Sequence, residues 1–222
     1  MVNKAHRQEA ASQEVDPKQL KMTLMYVWSI MTTLFVVGWI ALSIMNVPCD
    51  RPTLQPNYNI DQFLGTWYEL KRNYDLPFEG GDCVTAQYAK RTDGGIDVTN
   101  SQYYIDQARL DSIKGYAYTS KFTSGLNNVF FNADFGGDYR VLSTDYTNYA
   151  VVYSCTTILG NCLSIFKYVW ILSRKPLTEG TPEFDAFMAI VNPILAEKVP
   201  RYDTRILRTT IHNSKCKYQP NV

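Results

Sequence analysis

Residues 59–69 read NIDQFLGTWYE, and within them Gly65, Thr66 and Trp67 open a run of aromatic and β-branched residues that favours an extended chain. Taken alone, a Gly-x-Trp triplet says little, because a Trp at the start of a strand is more often plain core. Its meaning comes from the chain on either side.

Downstream, short aromatic or β-branched runs alternate with turn residues. The pattern predicts strands at 66–72, 83–91, 95–104, 112–120, 127–133, 139–145, 149–157 and 165–173. Asp93-Gly94-Gly95 and Gly136-Gly137-Asp138 carry hairpin chemistry between them. Eight strands with short connections predict an all-β, eight-stranded antiparallel up-and-down β-barrel, since closing the sheet removes both exposed edges. The 16 Tyr, 10 Phe and 4 Trp suit such a domain: each ring offers a large apolar face, and Tyr and Trp add a polar tip. One C-terminal α-helix is expected to lie against the outside of the barrel. Thr181 can cap it, Pro182 suits its first turn, and Phe184, Phe187, Met188, Val191 and Leu195 share a face. Pro193 is expected to kink or shorten it.

Upstream, no charged residue occurs between Met22 and Pro48, a stretch long enough to cross a bilayer as a helix. Secretory signals have shorter apolar regions, roughly 7 to 15 residues. The chain therefore divides into a polar, unstructured tail at 1–21, a transmembrane signal-anchor at 22–47 and a folded domain at 49–222. Lys4, Arg7, Lys18 and Lys21 precede the span while only Arg51 follows closely, which places the N-terminus in the cytoplasm and the domain outside, single-pass and extracellular or lumenal. Ala41-Leu42-Ser43 resembles a small-x-small cleavage site, so a secreted form is the alternative.

Lys plus Arg number 22 against 21 Asp plus Glu, and no basic stripe marks a nucleic-acid partner. The five Cys, at 49, 83, 155, 162 and 216, all follow the apolar run, and none forms a C-x-x-C pair. Disulfides in an oxidising compartment explain them better than a metal site, and the odd count leaves one thiol over.

Two further blocks join the opening stretch. Thr144-Asp145-Tyr146 precedes Tyr149-Ala150-Val151-Val152-Tyr153, and Trp170-Ile171-Leu172-Ser173-Arg174 ends the last strand. In order and spacing the three blocks resemble the motifs of the lipocalins. Phe78-Glu79-Gly80-Gly81-Asp82-Cys83 and Asp145-Tyr146-Thr147-Asn148-Tyr149 are most similar to the apolipoprotein D, Lazarillo and bilin-binding branch of that family. The resemblance implies that Gly65, Trp67, Thr144, Asp145, Tyr146 and Arg174 build the closed end, with Arg174 stacked over Trp67. It implies bridges Cys49 to Cys155 and Cys83 to Cys216, leaving Cys162 outside the pattern and free to link a partner.

It also implies which side chains face the interior: Tyr88, Asn100, Gln102, Tyr104, Trp170 and Leu172. No charge appears among them, so the expected ligand is one neutral or weakly polar hydrophobic molecule, held without a covalent bond and with no cofactor: a fatty acid, sterol, retinoid or bilin. Some lipocalins are isomerases with a reactive thiol in the barrel. Here Cys83 is assigned to a bridge, Cys162 to a loop, and His6 and His212 lie outside the barrel, so no enzyme is expected. The other reading is a membrane-tethered recognition or adhesion protein that uses the barrel as a scaffold.

Overall fold

The computed structural model describes residues 16–45, 49–74, 76, 78–131, 136–158 and 163–220, with the backbone alone at 40–45, 136, 157–158 and 163–166. These fall into two units, Met1–Val47 and Pro48–Val222. Cys162 lies outside the described residues.

In the first unit, α1 (Pro17–Met45) starts with Pro17, whose fixed φ and missing N–H suit a first turn. The Asp16 side chain accepts from the Lys18 N–H at 2.9 Å. The helix thus begins inside the stretch read from composition as an unstructured tail, because proline and a capping carboxylate outweigh the polar character of 17–21. Its large apolar side chains from Leu20 to Trp39 are exposed. The hydroxyls of Thr23 and Thr33 bond back to the carbonyls of Gln19 and Ser29, at 2.9 and 2.8 Å, which satisfies them within the helix. By length and composition, Pro17–Trp39 can cross a membrane.

The second unit opens with a single helical turn, α2 (Ile60–Phe63), and continues as β1 (Gly65–Asn73), β2 (Asp82–Lys90), β3 (Ile96–Tyr104), β4 (Arg109–Thr119), β5 (Leu126–Phe130), β6 (Gly136–Thr144), β7 (Tyr149–Ile158) and β8 (Leu163–Ser173). Each strand pairs antiparallel with the next, and β1 pairs with both β2 and β8. The expected eight-stranded barrel is therefore closed. A helix, α3 (Pro182–Lys198), and a short strand, β9 (Leu207–Thr209), follow.

The seam between β1 and β2 is closed in two different ways. Near the base the strands pair directly, from Gly65↔Tyr88 to Tyr68↔Thr85. Above that they part, and the C-terminal segment fills the gap: β9 pairs with β1 from Lys71↔Thr209 to Asn73↔Leu207, and the Cys83 N–H donates to the Ile211 carbonyl at 3.0 Å. His212 is buried in this seam, one ring nitrogen 2.7 Å from the Glu69 carbonyl and the other 2.8 Å from the Tyr218 hydroxyl. Both implied bridges form, with Cα separations of 5.9 Å for Cys49–Cys155 and 5.5 Å for Cys83–Cys216.

Strand alternation sorts the apolar residues into two cores. Outward-facing Leu70, Leu142, Val151, Tyr153, Val169 and Ile171 pack beneath Phe184, Phe187, Val191 and Leu195 of α3. Inward-facing Trp67, Tyr88, Val98, Ala117, Val141, Val152 and Leu172 pack with Phe63 inside the barrel. Thr181 caps α3, accepting from the Phe184 N–H at 3.3 Å. The helix is not shortened at Pro193 and runs on to Lys198. Proline removes a single N–H there, and Val191 and Leu195, both buried, anchor the turns on either side of it.

Candidate functional site: the barrel interior

The closed end is built from the three motif blocks. Asn59 caps α2 by accepting from the Asp61 and Gln62 N–H groups at 3.0 and 3.4 Å. The chain then turns at Gly65, where φ of +94° is the left-handed region that glycine adopts without strain. The turn drops Trp67 into the barrel, fully buried, with its indole N–H donating to the Phe63 carbonyl at 2.8 Å. The Arg174 guanidinium lies 3.7 Å from the Trp67 ring centroid. It donates to the carbonyls of Thr66 at 2.9 Å, Leu64 at 3.0 Å, Gln62 at 3.1 Å, Phe63 at 3.3 Å and Tyr146 at 2.9 Å. One side chain therefore ties three connections together.

The neighbouring turn is held by Asp145, which accepts from the N–H groups of Asn148, Tyr149 and Thr147 at 2.7, 3.0 and 3.1 Å. Partial burial pulls its carboxyl upward, but the Asn148 side chain and these N–H donors outweigh it and leave the pKa below the usual range. Thr144 accepts from the Tyr146 N–H and donates to the Tyr149 carbonyl. The Tyr146 hydroxyl in turn accepts from the Asn59 N–H at 3.0 Å.

Above this base the side chains named from the sequence divide into levels. Tyr88 and Leu172 belong to the buried floor, packed with Phe63 and Trp67. The Tyr88 hydroxyl is 2.7 Å from that of Tyr139, and burial raises the pKa of both, so they remain neutral phenols. Asn100 stands one strand step above Val98, and its Oδ1 is shielded from solvent without a hydrogen-bond partner. Opposite it on β4, Ile113 faces the same interior yet keeps 51% of its surface accessible, which marks open space in the middle of the barrel. Gln102 and Tyr104 stand at the mouth. Gln102 accepts from the Gly81 N–H at 2.7 Å, and Arg109 stacks over the Tyr104 ring at 4.3 Å.

The expected absence of charge in the wall is overturned. Glu69 keeps the inward parity of Trp67, and a bulge between Glu69 and Lys71 then breaks the two-residue alternation of β1, so Lys71 turns outward and Arg72 turns inward. Glu69 and Arg72 are both buried. Arg72 donates to Glu69 Oε1 at 2.5 Å, to the Thr210 hydroxyl at 3.0 Å, and to the Glu79 and Gly81 carbonyls at 2.5 and 2.8 Å. It thereby clamps the loop between β1 and β2 over the mouth. From that loop the Glu79 carboxylate enters the barrel, accepting from the Trp170 indole N–H at 3.2 Å and lying 3.8 Å from Arg72 Nε. Burial, reinforced by the neighbouring Glu69, pushes the Glu79 carboxyl up to about 8 against the pull of Arg72.

Glu79 and Arg72 are thus interior groups that alternation does not reveal, while Glu69, two residues after Trp67, shares its inward parity and was open to detection. Tyr58 and Tyr139, which complete the aromatic floor with Phe63 and Tyr88, were also missed. Tyr139 was open to detection, since it lies two residues before the apolar Val141 on a strand. Glu79 sits in a loop that has no period to read.

Comparison with known proteins agrees with this architecture. A sequence profile described as a lipocalin-like domain matches residues 58–184. Apolipoprotein D from Bos taurus is 38% identical over 130 residues, which cover 58% of this chain and 67% of that protein. Apolipoprotein D from Rattus norvegicus is 36% identical over 158 residues, 70% of this chain and 82% of the relative. The outer membrane lipoprotein Blc of Escherichia coli is 36% identical over 139 residues, covering 59% and 73%. Among solved structures, insecticyanin from the tobacco hornworm Manduca sexta superposes with a TM-score of 0.64 at 21% identity, covering 78% of this chain and 90% of that one, which is a likeness of fold. Joined to the closed barrel, the Arg174-over-Trp67 base and the two bridges, these matches show that the chain belongs to the lipocalin family.

Proposed function

We propose that this lipocalin carries one small hydrophobic molecule, bound without a covalent link in the barrel interior between the aromatic floor and the loop that holds Glu79. The observation that carries the reading is Ile113: an inward-facing aliphatic side chain in a closed barrel, half of whose surface is left free. Removing apolar ligand surface from water there is worth about 25 cal/mol per Å² before ordering costs. Asn100, Gln102, Tyr104 and Trp170 are the proposed wall contacts, with Tyr88 and Leu172 beneath them. The reading is of a carrier and not an enzyme: Cys83 is bridged and His212 is enclosed in the seam, so neither supplies a nucleophile or base to the interior.

The test is a fluorescence titration of the full chain in amphipol with sterol, fatty acid, retinol and biliverdin. Saturable quenching of Trp and Tyr emission by at least one, weakened fivefold or more by Ile113→Asp, is expected. If none of the four quenches, the barrel is a scaffold, and the tethered recognition reading takes its place.

Two features support delivery to an oxidising compartment beside a membrane: the bridges Cys49–Cys155 and Cys83–Cys216, and a helix long and apolar enough to span. We propose that α1 stays attached as an anchor.

A further inference from the structure

Arg72 makes four hydrogen bonds through its two terminal nitrogens, yet its buried Nε–H has no hydrogen-bond partner among the described residues. An unpaired buried donor on a charged group is costly, and it favours any acceptor that can reach it. The acceptor facing it is Glu79 Oε2, which at 3.8 Å is too far to bond. The same oxygen already accepts from the Trp170 indole N–H at 3.2 Å, so two donors converge on one atom. Glu79 has little freedom to serve both, because Arg72 also holds its backbone by donating to the Glu79 carbonyl. A carboxylate that is not tied to the loop brings two oxygens and can give each donor its own.

We propose that the Glu79 carboxyl is a stand-in for the acidic head of the ligand: a lipid carboxylate displaces it from Arg72 Nε and Trp170 Nε1, and the apolar body reaches the open space at Ile113. The inference rests on the carrier reading and gives its ligand a head group and an orientation. Burial holds Glu79 largely protonated near neutrality, so the cluster presents no excess of negative charge to an incoming acid. The displaced Glu79 reaches solvent, where a tenth of its side-chain surface already lies, and ionises there. One carboxyl takes the place of another, and the proton that Glu79 gives up goes to the ligand head group or to water.

Retinoic acid and retinol share one polyene and differ at the head group, so they isolate this effect when titrated at pH 7.4 into the full chain in amphipol. Glu79→Ala empties the position while leaving the backbone clamp, and is expected to strengthen retinoic acid binding at least tenfold and to move retinol less than threefold. Glu79→Ser serves the same purpose should the alanine variant fail to fold. Glu79→Gln keeps a neutral side chain of the same shape in place and is expected to bring no gain. Trp170→Phe, made in the alanine background, is expected to lower the ratio of acid to alcohol affinity at least fivefold. In nitrogen-15 NMR spectra, the Arg72 Nε–H resonance is expected to move with retinoic acid and not with retinol. Equal gains in Glu79→Ala and Glu79→Gln would mean simple charge repulsion and overturn the stand-in, as would an acid affinity that neither Glu79→Ala nor Glu79→Ser changes. If retinol, biliverdin or a sterol binds and retinoic acid binds no variant, the acid site fails while the carrier reading stands. Silence from every probe removes both.

Discussion

Arg174 bears more of the closed end than any other side chain, and its geometry predicts what its loss does. Arg174→Ala deletes five guanidinium-to-carbonyl hydrogen bonds and the contact with Trp67, leaving part-buried carbonyls without donors. Charge-assisted bonds contribute roughly 1.5 to 3 kcal/mol each, though not additively, so about 3 kcal/mol of destabilisation is expected in urea unfolding. Arg174→Lys should recover less than half of it, because an ammonium has three donors and no flat face for the indole. Glu79 makes a prediction about pH. Its carboxyl titrates near 4.5 when solvated and near 8 when buried, so between those values the folded chain keeps a proton that the unfolded chain has released. Stability therefore falls as pH rises from about 4.5 to about 8. Glu79→Gln should flatten that slope and melt higher than wild type at pH 8 in a thermal scan. The motif residues were readable from sequence because their roles are local: a left-handed turn needs Gly65, and a three-donor turn needs Asp145. Arg72 was not, because a single bulged position after Glu69 reverses the parity of the strand beyond it.

At the scale of elements, eight strands and one outer helix were legible from turn chemistry and from the two periods of the apolar pattern. Boundaries shifted where packing overrode local signals. The strand expected at 112–120 starts at Arg109, drawn out by its full register with β3. The last element, β9, had no signature: three residues are too few to show a period, and its partners on β1 and β2 are remote in sequence. Yet it fills half of the β1–β2 seam. Cys216→Ser releases the C-terminal segment from β2 by opening a bridge across 133 residues, and a closure of that length contributes roughly 4 to 5 kcal/mol. The expected result is a urea midpoint lowered accordingly, with faster hydrogen exchange at Cys83 and Ile211, measured by mass spectrometry. Exchange at Tyr153 and Val169, which sit under α3 on the far side, should change least.

For the whole molecule, the open question is whether α1 and the barrel remain one chain. If α1 is an anchor, the protein stays in the membrane fraction through alkaline carbonate washing and leaves it only with detergent. N-terminal sequencing of a soluble form beginning after Ser43 is the result that would replace the anchor with a cleaved signal. Composition alone exposed this division, since the apolar run and the cysteine-bearing domain do not overlap.

The shared seam has a consequence in time. A barrel closed by its first, second and ninth strands stays slit along one side until the end of the chain has been made. Synthesis runs from the N-terminus, so during translation the interior lies open to its surroundings, with Glu69 and Arg72 at the edge of the gap and Thr210 not yet there to join them. The interior is then reachable through the side of the wall as well as through the mouth, until the segment from Leu207 onward closes the gap. Loading during biosynthesis and loading of the finished protein would be two different routes into one interior.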